Sequence, residues 1–226
     1  MQTPRTLIYL ALVAALGLSL LPLGPATHGS GATLYFAGTN YIVTGRFRDV
    51  WLGTHTYSEG IAINGLPISD LHDEVNPDDG KTYQVQWFER ARFELHPGAN
   101  PPNDVLLGLL GKDAVWATRR TEPPFQPVPQ PPGVGPDLAW ASSTHHTIRG
   151  PFLQFWTKYG GQAQFGSPLS EPFNETLEGK PYLVQYFERS RFEFHPGLAP
   201  EYGGVILGTL GSLQYQARFG TPTPAH

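Results

Sequence analysis

From residue 182 the chain reads as two strands, a mostly apolar Tyr182–Phe187 and a strictly alternating polar and apolar Arg191–His195, with Arg189 and Ser190 at the break. Period-two alternation puts one set of side chains on each face of an extended strand, so the pattern predicts a β-hairpin bent at Arg189 and Ser190. Simple pairing about that bend sets Phe187 opposite Phe192, Tyr186 opposite Glu193 and Val184 opposite His195. Phe187, Phe192 and Phe194 then form a core face, while Val184, Tyr186, Glu188, Arg191, Glu193 and His195 form a mixed face. Gln, Glu and Arg also favour helix, but the strict alternation of Arg191–His195 and the flanking Gly and Pro favour the hairpin. Upstream, Phe152, Phe155, Trp156 and Tyr159 recur at i, i+3, i+4 and i+7, behind Pro151 and ahead of Gly160 and Gly161. That spacing predicts a short amphipathic helix with a defined start and stop.

The hairpin segment "VQYFERSRFEFHP" (184–196) restates "VQWFERARFELHP" (85–97). In the first copy Trp87, Glu89, Arg92, Glu94 and His96 take the mixed face, and Phe88, Phe93 and Leu95 the core face. Other landmarks repeat in the same order: "YFAGTNYIVTGRFRDVW" (35–51) over "WASSTHHTIRGPFLQFW" (140–156), "NGLPIS" (64–69) over "FGSPLS" (165–170), and "VLLGLLG" (105–111) over "VILGTLG" (205–211). The sequence is a tandem repeat of about eighty residues per unit. The expected fold is α+β, turn-rich, with each unit a short amphipathic helix packed on small antiparallel β-hairpins. The expected bounds are 33–116 for the first unit, 117–137 for a linker, 138–220 for the second unit and 221–226 for a tail. Length differences fall between Trp51 and Gly65 and between Pro67 and Gly80, which marks both stretches as exposed connections. The linker stretch "EPPFQPVPQPPGVGP" (122–136) is too proline-rich for helix or central strand. It is either an extended semi-rigid spacer or coil packed on one copy.

Composition agrees, since 23 prolines and 26 glycines in 226 residues imply many turns. Residues 1–32 read as a signal peptide: Arg5, then a 17-residue uncharged run, then small residues at Ser30–Ala32. An uncleaved N-terminal anchor is the alternative, and contact with a membrane is expected only in that case. Either way the protein is expected to be exported, secreted or at the cell surface. The absence of cysteine excludes disulfides, thiolate metal sites, thiol nucleophiles and lipid attachment at cysteine, so each unit is expected to rely on its own core. The formal net charge of −4, with four lysines and no basic run, argues against a nucleic-acid partner.

The mixed faces are the candidate binding sites: Trp87, Arg92, Glu94 and His96 in the first copy, Tyr186, Arg191, Glu193 and His195 in the second. An aromatic ring flanked by Arg, Glu and His offers a sugar a flat apolar platform with hydrogen-bonding groups at its edge. The same residues also make sense as an internal network, with Glu188 meeting Arg191 across the turn and the arginines lying on aromatic rings, each pair contributing about 0.2–1 kcal/mol. No GxSxG, HExxH, DxDxDG or P-loop is present, and "NPDDGK" has Val75 where a P-loop requires its first glycine. Glu89 with Glu94, or Glu188 with Glu193, could be a glycosidase pair, but neighbouring arginines would hold both carboxylates ionised and leave no general acid. His145 and His146 are expected in surface or turn roles, "NPDDG" as a turn, and "NET" (174–176) as a glycosylation sequon. No metal or cofactor is expected.

The order helix, "GG", "FGSPLS", "VQYF", aromatic pair, "VILG" resembles the LGFP repeat family of exported bacterial proteins. Gly160, Gly161, Gly166, Pro168, Phe187, Phe192, Phe194, Val205 and Gly208 fall on that family's marks. In the first copy Gly65, Pro67, Phe88, Phe93, Val105 and Gly108 do so. Both copies depart from it: Ser190 or Ala91 stands at the hairpin glycine, Phe165 or Asn64 at the leading leucine, and the first copy lacks the GG. The resemblance implies a surface-binding module associated with the cell wall and carries no catalytic residues. The expected function is therefore a non-catalytic exported module that binds cell-wall or other polysaccharide. A structural or protein-interaction module of the envelope, or a glycan hydrolase, are the alternatives.

Overall fold

The computed structural model describes residues 32–76 and 79–220, so all of the expected signal segment but residue 32, and the tail 221–226, lie outside the described residues. The first copy opens with a small hairpin, β1 (Leu34–Tyr35) and β2 (Ile42–Val43), then two helices, α1 (Gly45–Leu52) and α2 (Tyr57–Asn64). A meander of β3 (His72–Val75), β4 (Thr82–Trp87), β5 (Arg92–Leu95) and β6 (Val105–Leu107) follows, closed by helix α3 (Leu110–Ala117). The second copy has the same order: β7 (Leu138–Ala141), β8 (His146–Arg149), α4 (Gly150–Lys158), α5 (Gly161–Phe165), β9 (Phe173–Leu177), β10 (Lys180–Tyr186), β11 (Arg191–Phe194), β12 (Val205–Leu207) and α6 (Leu210–Phe219). The fold is α+β, with each four-stranded sheet antiparallel and its strands in sequence order.

The predicted helix is α4, with Pro151 in its first turn and Phe152, Phe155 and the following Tyr159 buried against Phe165, Phe187 and Phe192. One helix per copy was expected, and among the described residues each copy has three α-helices. α5 has five residues, too short to show a period. α2 has a legible start, a capping box in which Thr56 accepts from the Glu59 amide while Glu59 accepts from the Thr56 amide.

The hairpin forms, but its register is corrected. Tyr186 pairs with Arg191, Gln185 with Phe192 and Val184 with Glu193, and the Phe187 amide donates to Ser190 O, so Glu188 and Arg189 make the turn. The turn is fixed from outside: the Glu188 and Arg189 amides donate to Ser167 O and Phe165 O, as Glu89 and Arg90 donate to Leu66 O and Asn64 O. Relative to simple pairing, partners move by two residues, and a shift of two leaves every side chain on its own face. The core face therefore stands, with Phe88, Phe93, Phe187 and Phe192 fully buried. The repeated glutamine belongs to it as well: Gln86 Nε2 donates to Ile42 O and Ser69 O, and Gln185 Nε2 to Thr147 O and Ser170 O, which ties each sheet to its small hairpin.

Each closing helix docks on the other copy. The Lys112 amide at the start of α3 donates to Glu188 O at 3.0 Å, and the Ser212 amide at the start of α6 donates to Glu89 O at 3.0 Å. Backbone approaches so closely that a Cβ on Gly111 would lie 1.9 Å from Phe187 O, and one on Gly211 2.0 Å from Phe88 O. The second glycine of "VLLGLLG" and "VILGTLG" is required for that contact. Leu110 and Leu210 meet Val85 and Trp87 in one shared cluster, and Arg90 Nε donates to Leu207 O. Each copy has its own core, around Trp51, Phe88 and Phe93 in the first and Phe155, Phe187 and Phe192 in the second, as expected, but the closing helices are exchanged and a third cluster is shared, so neither copy relies on its own core alone.

The linker packs on the second copy for half its length. Glu171 N donates to Pro124 O and Val128 N to His145 O, with Phe125 against Phe173 and Tyr186. The stretch from Pro129 to Pro136 is mostly exposed.

Candidate functional site

Alternation on β4 and β5 puts Trp87, Arg92, Glu94 and His96 on one face as expected, and β3 adds an acid, Glu74, that sequence reasoning missed. Glu74 is buried and accepts the Trp87 indole N–H and an Arg92 bond at 3.2 Å, with His72 Nε2 at 2.9 Å, and forms an ion pair with Arg218 of α6 at 2.8 Å. Arg92 reaches Glu94 at 2.8 Å, and Glu94 also holds Asn76 Nδ2 at 2.9 Å and His96 Nε2 at 2.7 Å. Burial pushes both carboxyls up, but for Glu74 the bond from Trp87 and the Arg92 and Arg218 guanidiniums outweigh it. For Glu94 the bonds from Asn76, Arg92 and His96 do so, and both acids are held below the usual carboxylate range.

The second copy builds the same network. Glu175 on β9 accepts the Tyr186 hydroxyl at 2.9 Å and Arg120 at 2.6 Å, with Arg191 at 3.8 Å. Arg191 pairs with Glu193 at 2.6 Å, and His195 Nε2 lies 3.0 Å from Glu193. Burial raises the Tyr186 phenol against the opposing effect of Arg191. Glu175 matches Glu74 once the two extra residues of the first copy are placed in the β3–β4 turn, and that alignment could have found both acids. The pairing of Glu188 with Arg191 across the turn is corrected: Glu188 accepts the Ser167 amide instead, and Glu89 accepts the Leu66 amide and Arg90.

The platform expectation is corrected too, because neither aromatic is open. Trp87 is 3% and Tyr186 5% exposed. Trp87 lies under Tyr215 and Phe219 of α6, with ring centroids 5.8 and 6.3 Å away, while Tyr186 lies under Phe125 at 5.7 Å and Arg120. Arg92 and Arg191 stand over the same rings at 5.4 and 5.8 Å. Strand alternation gives a face but not what covers it, and the covering residues come from outside the hairpin.

The other end of each face is open. Tyr83 stacks on His96 and Tyr182 on His195, both with centroids 4.1 Å apart, and all four side chains are half-buried. Beside the second pair runs a groove of about 440 Å³ lined by Pro181, Tyr182, Leu183, Phe194, His195 and Leu198. Of the adjacent histidines, His145 sits in a turn, stacked on Trp140, but His146 is buried with Nδ1 3.5 Å from Glu171, which corrects its expected surface role. Among the described residues no group of three or more His, Asp or Glu could hold a metal. Asn174 of the sequon is exposed on edge strand β9. Searched against family models, curated proteins and solved structures, the chain matches none.

Proposed function

We propose that the protein is a non-catalytic exported binding module whose ligand is cell-wall or other polysaccharide, held at the open ends of its two hairpin faces. The observation that carries this reading is the Tyr-on-His stack, built twice with the same 4.1 Å separation and each imidazole anchored by a glutamate. A ring presented beside a fixed imidazole and carboxylate is suited to a sugar's apolar face and the hydroxyls at its edge. Two such platforms in one chain suit a repeating polymer, where a second contact adds avidity. The resemblance to LGFP repeats supports the same assignment. Glu74 and Glu94, held ionised, are poor general acids, which supports a role without hydrolysis.

The test is cosedimentation with insoluble peptidoglycan and with neutral polysaccharides. Tyr83→Ala with Tyr182→Ala is expected to lower retention by about tenfold or more while the far-ultraviolet spectrum is unchanged, since aromatic platforms commonly dominate such contacts. Undiminished retention by that folded double variant would sink the reading. A protein-interaction module is the second reading, favoured by the arginine and phenylalanine that the buried ends of both faces receive from other parts of the chain.

A further inference from the structure

The buried ends of the two faces hold the same pair of side chains, delivered by unrelated backbone. In the second copy the segment after α3, which makes a 3-10 turn at Pro123–Phe125, supplies Arg120 to Glu175 at 2.6 Å and Phe125 to Tyr186 and Phe173, at 5.7 and 5.4 Å. In the first copy one helical turn supplies Arg218 to Glu74 at 2.8 Å and Phe219 to Trp87 and His72, at 6.3 and 6.2 Å. His72 and Phe173 open equivalent strands, β3 and β9. A buried carboxylate beside an aromatic ring and a second ring thus selects a guanidinium with a phenyl group, whatever the backbone that carries them.

The two caps are held unequally. The second is pinned through its backbone, by Glu171 N to Pro124 O at 2.7 Å and Val128 N to His145 O at 2.8 Å, and the Arg120 side chain is 17% exposed. The first is the last turn of α6, stopped by Gly220 at a φ of 86°, with the Arg218 side chain 45% and Phe219 47% exposed. Helix ends fray at low cost, so this turn is the part of the face that opens most readily. Leu71, the residue before His72 in the chain, is 46% exposed.

We propose that the Glu74–Trp87 face of the first copy is a binding site for a partner protein's proline-rich segment bearing an arginine and an aromatic residue about five positions on. The last turn of α6 is its built-in competitor. The linker shows the form of the ligand, "TRRTEPPFQPV" (118–128), with Arg120 and Phe125 as its two anchors. Negative charge at Glu74 complements the arginine. The prolines fix the backbone of such a segment, which in the linker makes a 3-10 turn at Pro123–Phe125, and this lowers the ordering cost of binding. This site is separate from the Tyr–His platforms, so its failure leaves the polysaccharide reading standing.

The experiment titrates a fluorescein-labelled peptide of residues 118–128 against the whole protein and against an Arg218→Ala/Phe219→Ala double variant, read by anisotropy. Because the cap must leave before the peptide enters, the double variant is expected to bind about tenfold more tightly than the wild type. A peptide with alanine at both anchors is expected to lose that binding. In the wild type, saturating peptide is expected to speed hydrogen exchange of the amides of residues 216–219. Equal affinity for wild type and double variant, no binding to either, or retained binding of the alanine peptide each overturns the proposal. If the double variant does not fold, Phe219→Ala alone carries the comparison, with the same outcomes.

Discussion

The two copies close the same aromatic face in different ways, and the difference separates what the repeat specifies from what its surroundings supply. Both place a ring, an arginine and two glutamates on the face through the same strands. α6 runs to Phe219 and covers Trp87 with a helical turn, whereas α3 ends at Ala117 and a strap with a 3-10 turn at Pro123–Phe125 covers Tyr186. The internal network is therefore a property of the repeat, while the cap is a property of its place in the chain.

The sharpest way to break this comparison is to remove the rings. Trp87→Ala and Tyr186→Ala are each expected to lower the unfolding free energy by about 3–5 kcal/mol in urea titrations, since both rings are buried. A loss under about 1 kcal/mol in either would mean that this face is open surface and its cap incidental. The next test addresses the exchanged helices. Gly111→Ala and Gly211→Ala each place a methyl group against a carbonyl and are expected to cost about 1–3 kcal/mol, with similar loss of thermal stability. A large cost at one and none at the other would show that the two dockings are not equivalent.

The smallest effect concerns acid. Glu74 and Glu94 have folded pKa values below the ordinary 4.5, so their contribution is complete above that pH and is lost as pH falls through the folded values. The melting temperature is expected to decline below about pH 4.5, and Glu74→Gln to be less stable at neutral pH but to decline less steeply in acid. An unchanged acid profile in that variant would remove Glu74 from the account.

Much of this was legible in the sequence because it depends on local periodicity. Alternation placed Tyr186, Arg191, Glu193 and His195 on one side, and the duplicate did the same for Trp87, Arg92, Glu94 and His96. The two-residue error in pairing left that intact, because faces depend on parity alone. What escaped was non-local. Glu74 and Glu175 lay in the stretch that its length difference had marked as exposed connection, though β3 and β9 run through it, and Arg120, Phe125, Arg218 and Phe219 act across the chain with no periodic mark. The exchange of α3 and α6 left one sign, the second glycine in each "LG" run, whose reason shows only once Phe187 O and Phe88 O are seen beside it.

The exchange of helices also orders the making of the protein. The first repeat emerges from synthesis with its meander complete but with the carbonyl of Glu89 and the ring of Trp87 waiting for α6, the last element described. Contacts so distant in sequence form late, after a long loop has closed. Until residues 210–219 arrive, the older half of the chain is an unfinished object, and the younger half finishes it in the same step that finishes itself.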